Sequence, residues 1–120
     1  MTVYLTLEEA LHIHATIAAR YGSSPEIGDP GLLESALLRP QTGHYADLIE
    51  EAAALFESLV LVGGPGEANL RFTLAATEIF LELNELVLGA DTEDVLLFID
   101  HRRFDKPAIE TWLLGVVTAA

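Results

Sequence analysis

The 120 residues contain no cysteine, one tryptophan and one methionine, and a single lysine, Lys106. Without thiols there can be no disulfide, no thiolate metal site and no thiol nucleophile, so a cytoplasmic location is the expectation. Long apolar runs are missing too. No stretch approaches the roughly 18 residues a membrane span needs, and no basic segment leads into an apolar one as a secretory leader requires. Neither a membrane partner nor a cleaved leader is expected. Cations are scarce: six Lys and Arg face 19 Asp and Glu, for a formal net charge of −13. Three of those six, Arg102, Arg103 and Lys106, crowd near the C-terminus. The basic footprint that a phosphate backbone demands is absent, which excludes nucleic acid as the main partner. The negative charge reads first as solubility, and second as a surface for a basic protein.

What is present describes a globular chain. Hydrophobic residues make up 51% and charged residues 21%, and a chain of this length can bury about two-thirds of its unfolded surface. No linker or repeat divides it, so one domain spanning 1–120 is expected. The apolar spacing is helical almost throughout. After an extended lead-in at Val3–Leu5, Thr6 to Glu9 reads as a capping box opening a helix with Leu7, Ala10, Leu11, His14, Ile17, Ala18 and Tyr21 inward. Gly22 to Pro25 ends it. Asp29-Pro30 pairs an N-cap with proline at the first helical position, and that helix stops before Pro40. A third helix is expected over 47–62 and a fourth, apolar on most sides and therefore central, over 69–84. Two more follow, one from about 91 to 101 and one opened by Asp105 and Pro107. The expected architecture is all-α: about six helices around a buried central one, with almost no strand. Exposed apolar groups near Trp112, Val116 and Val117 are expected, fit for a dimer contact.

Most candidate chemistry is weak. His12 and His14 are two apart on a helix and point to different faces, so they cannot chelate one ion; packing or surface roles are expected. His44 and His101 have no spaced partner for zinc, and Ser23, Ser24, Ser35 and Ser58 lack the setting of a nucleophile elbow. Gly63 to Arg71, GGPGEANLR, differs. A glycine-rich turn entering a buried helix brings free backbone N–H groups and a positive helix end together, which is how an anion site is built. Arg71 could grip a phosphate bidentately, and Glu67 with Asn69 could hold a divalent cation through oxygen. The Gly-Lys-Ser/Thr ending of a Walker loop is missing. The competing reading is a tight interhelical turn with Asn69 as N-cap.

Three blocks of sequence carry a resemblance. They are Tyr4 to Ala10 with His14 and Arg20-Tyr21-Gly22; Asp29 to Leu37 with Arg39-Pro40; and Ala53 to Val62 followed by Asn69 to Asn84. In these blocks the chain resembles the death-on-curing (Doc) toxins of the Fic/Doc, or Fido, superfamily, nearly end to end. The resemblance implies the helical Fido fold over 1–120 and a toxin–antitoxin setting. The family signature, H-x-F-x-D/E-G/A-N-K/G-R and then Thr, falls without gaps on Gly63 to Phe72. Glu67, Ala68, Asn69 and Arg71 match it. Gly63 takes the histidine position, Pro65 the phenylalanine, Leu70 the lysine and Phe72 the threonine.

The resemblance implies an anion- or nucleotide-binding set of Gly64, Gly66, Ala68, Asn69 and Arg71, with Glu67 on Mg²⁺, so that either Mg²⁺ and ATP bind there or no cofactor does. It implies no catalytic residue, because the histidine that takes the target hydroxyl's proton is Gly63 here. A positioned base is worth typically 10²–10⁴-fold. Leu70 and Phe72 are expected to put apolar bulk where phosphates would lie, and His44 is the sole substitute base suggested by location. Two functions stay open. One is a catalytically impaired Doc-like protein acting by binding a small antitoxin, another protein or a nucleotide. The other is an active ATP-dependent phosphotransferase or AMP-transferase that modifies a protein hydroxyl, the elongation factor Tu class of target. Oligomeric state is left open.

Overall fold

In the computed structural model the described residues are 1–22, 29–63, 67–90 and 105–120. Helix α1 (Leu7–Tyr21) begins where the Thr6 hydroxyl accepts from the Glu9 N–H while the Glu9 side chain accepts from the Thr6 N–H. It ends at Gly22, whose φ of 73° lies in the left-handed region that glycine enters without steric cost. In α2 (Pro30–Leu38) the Asp29 carboxylate accepts from the N–H groups of Gly31 and Leu32. A short 3₁₀ helix (Arg39–Thr42) follows directly and closes at Gly43, φ 81°. Helix α3 (Leu48–Gly63) is entered through Asp47, whose side chain accepts from the Glu50 N–H. Helix α4 (Glu67–Leu83) comes next, and α5 (Lys106–Val116) is capped by Asp105, which accepts from the Ala108 N–H. The helix expected near 91–101 lies outside the described residues.

Helix α3 packs on α4, α2 and α5, and α1 lies against α4. Between them sit Phe56, Phe72, Phe80, Leu33, Leu55, Leu59, Leu81, Ile109 and Leu113, all fully buried. The central role expected of α4 holds: nine of its residues are buried, including Thr73 and Thr77. Those hydroxyls each donate to a carbonyl one turn back, Asn69 O at 2.9 Å and Thr73 O at 2.8 Å, so neither is orphaned in the core. Asn84, just past α4, holds the N-terminal lead-in: its Oδ1 accepts from the Val3 N–H and its Nδ2 donates to the Val3 carbonyl, each at 2.8 Å.

The expected near-absence of strand holds among the described residues, where two three-residue strands occur. After a turn at Glu85 (φ 66°), β1 (Leu86–Leu88) pairs antiparallel with β2 (Val117–Ala119), Leu86 opposite Ala119 and Leu88 opposite Val117. The same region is where exposed apolar groups are expected. Trp112, Val116 and Val117 are partly buried against the core, and the Trp112 ring meets Phe56 edge to face at 5.9 Å. Leu114, 69% exposed, is the large apolar side chain of α5 that faces water beside them. Among the described residues no helix is long and apolar enough to cross a membrane.

Candidate functional site

The turn between α3 and α4 is shorter than its glycines suggest. Gly63 is the last residue of α3 and Glu67 the first of α4; Gly64, Pro65 and Gly66 lie outside the described residues. Starting α4 at Glu67 fixes the phase of everything after it. At about 100° per residue, Asn69 falls roughly 160° around the helix from both Glu67 and Arg71. The residues that the signature groups together therefore separate onto opposite faces.

Glu67 and Arg71 stay together on the outer face. Arg71 Nη2 and Nε donate to Glu67 Oε1 at 2.8 and 3.1 Å, an i,i+4 pair. Arg71 Nη1 donates to the Tyr21 hydroxyl at 3.0 Å, and the guanidinium lies over the Tyr21 ring, 4.3 Å from its centre. The hydrogen bond to Glu67, opposed by desolvation and aided by Tyr21, raises the Arg71 pKa above its ordinary value. Sequence reading put Tyr21 on the inner face of α1; it is 41% exposed and serves as the lid of this arginine. Nothing local signals that role, because the partners are 50 residues apart.

Asn69 turns inward and is 8% exposed. It is a buried residue of α4, not the N-cap that the competing reading made it. Its Nδ2 donates to the carbonyls of Val60 (3.2 Å) and Leu59 (3.4 Å), in the last turn of α3. A side chain at Gly63 would meet it: an added Cβ would lie 2.5 Å from Asn69 Cγ and 3.1 Å from Asn69 Cβ. Ala68, half-buried, follows Glu67 in the first turn of α4.

Leu70 and Phe72 correct a second expectation. Both are buried in the core, Phe72 completely, rather than standing over the cradle. The His14 ring packs edge to face on Phe72 at 5.1 Å, and its buried Nδ1 has no hydrogen-bond partner. His12 and His44 are exposed. None of these three histidines hydrogen-bonds to Glu67 or Arg71.

Do the residues present fit a magnesium nucleotide? In this arrangement Asn69 is spent on α3, Arg71 on Glu67 and Tyr21, and Glu67 Oε1 on Arg71. Among the described residues no group of three or more His, Asp or Glu side chains could hold a metal ion. Among the described residues the side chains do not converge on a phosphate, so no chemical step is derived through one.

A second polar cluster went unnoticed in the sequence. Arg39 donates to Glu57 Oε1 (2.7 Å), Ser58 Oγ (2.9 Å) and the Tyr45 hydroxyl (3.1 Å). Desolvation works against its charge, yet the bonds to Glu57 and Tyr45 leave its pKa raised overall. The other Glu57 oxygen accepts from the Lys106 N–H at 2.5 Å, where α5 begins. This cluster ties the 3₁₀ helix, α3 and α5 together; Arg39 and Glu57 are half-buried, and Arg39 and Ser58 line a groove between α2, the 3₁₀ helix and α3.

No family model matches the chain. Over its whole length it is 34% identical to Toxin Doc of Mycolicibacterium smegmatis, with 98% of that protein covered.

Proposed function

The chain belongs to the Doc toxin family, and from that premise we propose that it is a catalytically impaired member of a toxin–antitoxin pair that works by binding protein. The observation carrying this is Gly63. A hydroxyl attacking a phosphorus centre gains about 3–5 kcal/mol of barrier reduction from a positioned base, and a hydrogen side chain supplies none of it. The inward turn of Asn69 and the mutual pairing of Glu67 and Arg71 support the same reading, since a nucleotide would have to compete with both.

The partner is a small antitoxin whose segment orders as it docks, the mode the family implies. Three exposed leucines favour protein binding of this kind: Leu32, Leu38 and Leu61, 53%, 52% and 77% exposed. They flank a groove of about 560 Å³ between α2, the 3₁₀ helix and α3. Exposed apolar groups gathered in one place mark interaction surfaces more often than scattered ones do.

Incubation with radiolabelled Mg·ATP and candidate protein targets, beside titration calorimetry with Mg·ATP, tests the proposal. No label on protein and no binding heat are expected. Label transferred at rates ordinary for the family would restore the alternative, an active phosphotransferase or AMP-transferase acting on a protein hydroxyl. In that case Arg71→Ala and Glu67→Ala would also abolish growth arrest on overexpression.

A further inference from the structure

We infer that the groove between α2, the 3₁₀ helix and α3 receives a helix carrying one carboxylate between two apolar residues, the carboxylate pairing with Arg39 and the apolar residues seating on Leu32, Leu38 and Leu61. This rests on the reading that the chain works by binding protein, and it names what the groove recognises. The first observation behind it is charge. Among the described residues that line the groove Arg39 alone is charged, in a chain whose net charge is −13. Glu57, bonded to its Nη1, does not line the groove. An acid on the occupant therefore meets a cation and no like charge at the lining.

The second is an unused donor. Arg39 Nε donates to the Tyr45 hydroxyl, and Nη1 to Glu57, Ser58 and, at 3.4 Å, the Ala54 carbonyl. Among the described residues Nη2 has no partner, and the side chain is 32% exposed. Most of the guanidinium is thus fixed while two of its N–H groups stay open. A carboxylate binding there meets a donor whose rotamer freedom is already lost, in a charge-assisted bond about twice as strong as a neutral one. The third is the backbone. The groove lies between helices, which satisfy their own N–H and C=O groups and offer no strand edge to an extended segment. An occupant that buries its backbone here must bond it internally, as a helix does. On one face of a helix, apolar residues three or four positions either side of the acid lie beside it, matched to leucines that are each more than half exposed.

Fluorescence anisotropy of the full chain with three labelled peptides tests this. Each peptide has leucines four positions before and after a central residue that is Glu, Gln or Lys, and each is stapled as a helix so that the ordering cost is shared. The Glu peptide is expected to bind about 10-fold tighter than the Gln peptide, with the Lys peptide weakest. Arg39→Gln should bring Glu and Gln to within about twofold of each other. Gln matching Glu on the unmodified chain, Lys binding best, or no peptide binding overturns the inference. Sedimentation showing a dimer that excludes the peptides overturns it too, since a second copy then fills the groove. Should Arg39→Gln fail to fold, Leu61→Glu decides, because that side chain is 77% exposed and its replacement leaves the core intact. It should weaken all three peptides, the Glu peptide most; unchanged binding would place the peptides elsewhere and overturn the assignment. Label transfer from Mg·ATP would refute the loss of catalysis without altering this ranking, whereas a flat ranking ends the inference with catalysis still absent.

Discussion

Replacing Glu57 with alanine should destabilise the protein far more than its half-exposed position suggests. Its two oxygens serve two elements. Oε1 receives Arg39 Nη1 at 2.7 Å and Oε2 receives the Lys106 N–H at 2.5 Å. The second bond satisfies one of the orphan donors in the first turn of α5 and places negative charge at a helix start. A hydrogen bond to a charged group contributes about 1.5–3 kcal/mol. The ion pair, with side chains 32% and 23% exposed, adds less than its distance implies, about 0.2–1 kcal/mol after solvent screening. Arg39 keeps Tyr45 and Ser58, so no cation is left bare. Glu57→Ala should therefore cost about 2–3 kcal/mol, or about 8–12 °C of Tm at this chain length.

Urea unfolding followed by circular dichroism reads that cost directly, and two controls sharpen it. Glu57→Gln retains acceptor oxygen without charge and should lose roughly half as much. Glu50→Gln removes a weaker contact, 3.8 Å from Lys106 Nζ, and should cost about 0–0.5 kcal/mol. A Glu57→Ala loss under about 0.5 kcal/mol, or one matched by Glu50→Gln, would refute the view that this carboxylate anchors α5 to α3.

Three further outcomes are expected. Phe72→Thr, which writes the family's threonine back, should lose about 3–4 kcal/mol by chemical denaturation, because a fully buried ring disappears from between α1 and α4. Arg71→Ala should cost about 1 kcal/mol or less, as an outer-face pair and a cation–π contact are lost together, with Tyr21→Phe smaller still. Glu78 has its pKa raised above 4.5 by desolvation and then by Glu82. A raised carboxyl favours the protonated fold, so its benefit is present in acid and lost as pH climbs through the folded pKa. Glu78→Gln should thus stabilise by about 0.2–0.5 kcal/mol at pH 7, with the gain vanishing below pH 4 in a series of melting curves.

The parts of the fold legible in the sequence are those written in a few adjacent residues. Thr6 with Glu9, Asp29 with Pro30, and Asp105 with Pro107 each start a helix because a short polar side chain reaches N–H groups two or three residues away. Long-range pairings carried no such mark. Leu86–Leu88 and Val117–Ala119 are three residues each, too short for alternation to register, and each strand needs the other to exist. Arg39 and Glu57 are 18 residues apart on different helices, and either alone reads as a solvated charge. The signature turn falls between these cases. Its letters were plain, but which side chains share a face depends on where α4 begins. A start at Glu67 rather than Asn69 rotates Asn69 into the core.

That phase also bears on why Glu67 and Arg71 persist beside a missing histidine. An acid in the first turn followed four residues later by a base is favourable on any helix, since the carboxylate meets the positive helix end and the pair meets itself. Tyr21 adds a hydroxyl and a ring face to the same guanidinium. These contacts together are worth about 1–2 kcal/mol before solvent screening, reason enough to retain both residues with no phosphate present. Asn69 likewise has work at the end of α3, where its Nδ2 donates to the Val60 carbonyl. Three of the four retained letters, Glu67, Asn69 and Arg71, then have a partner inside the chain.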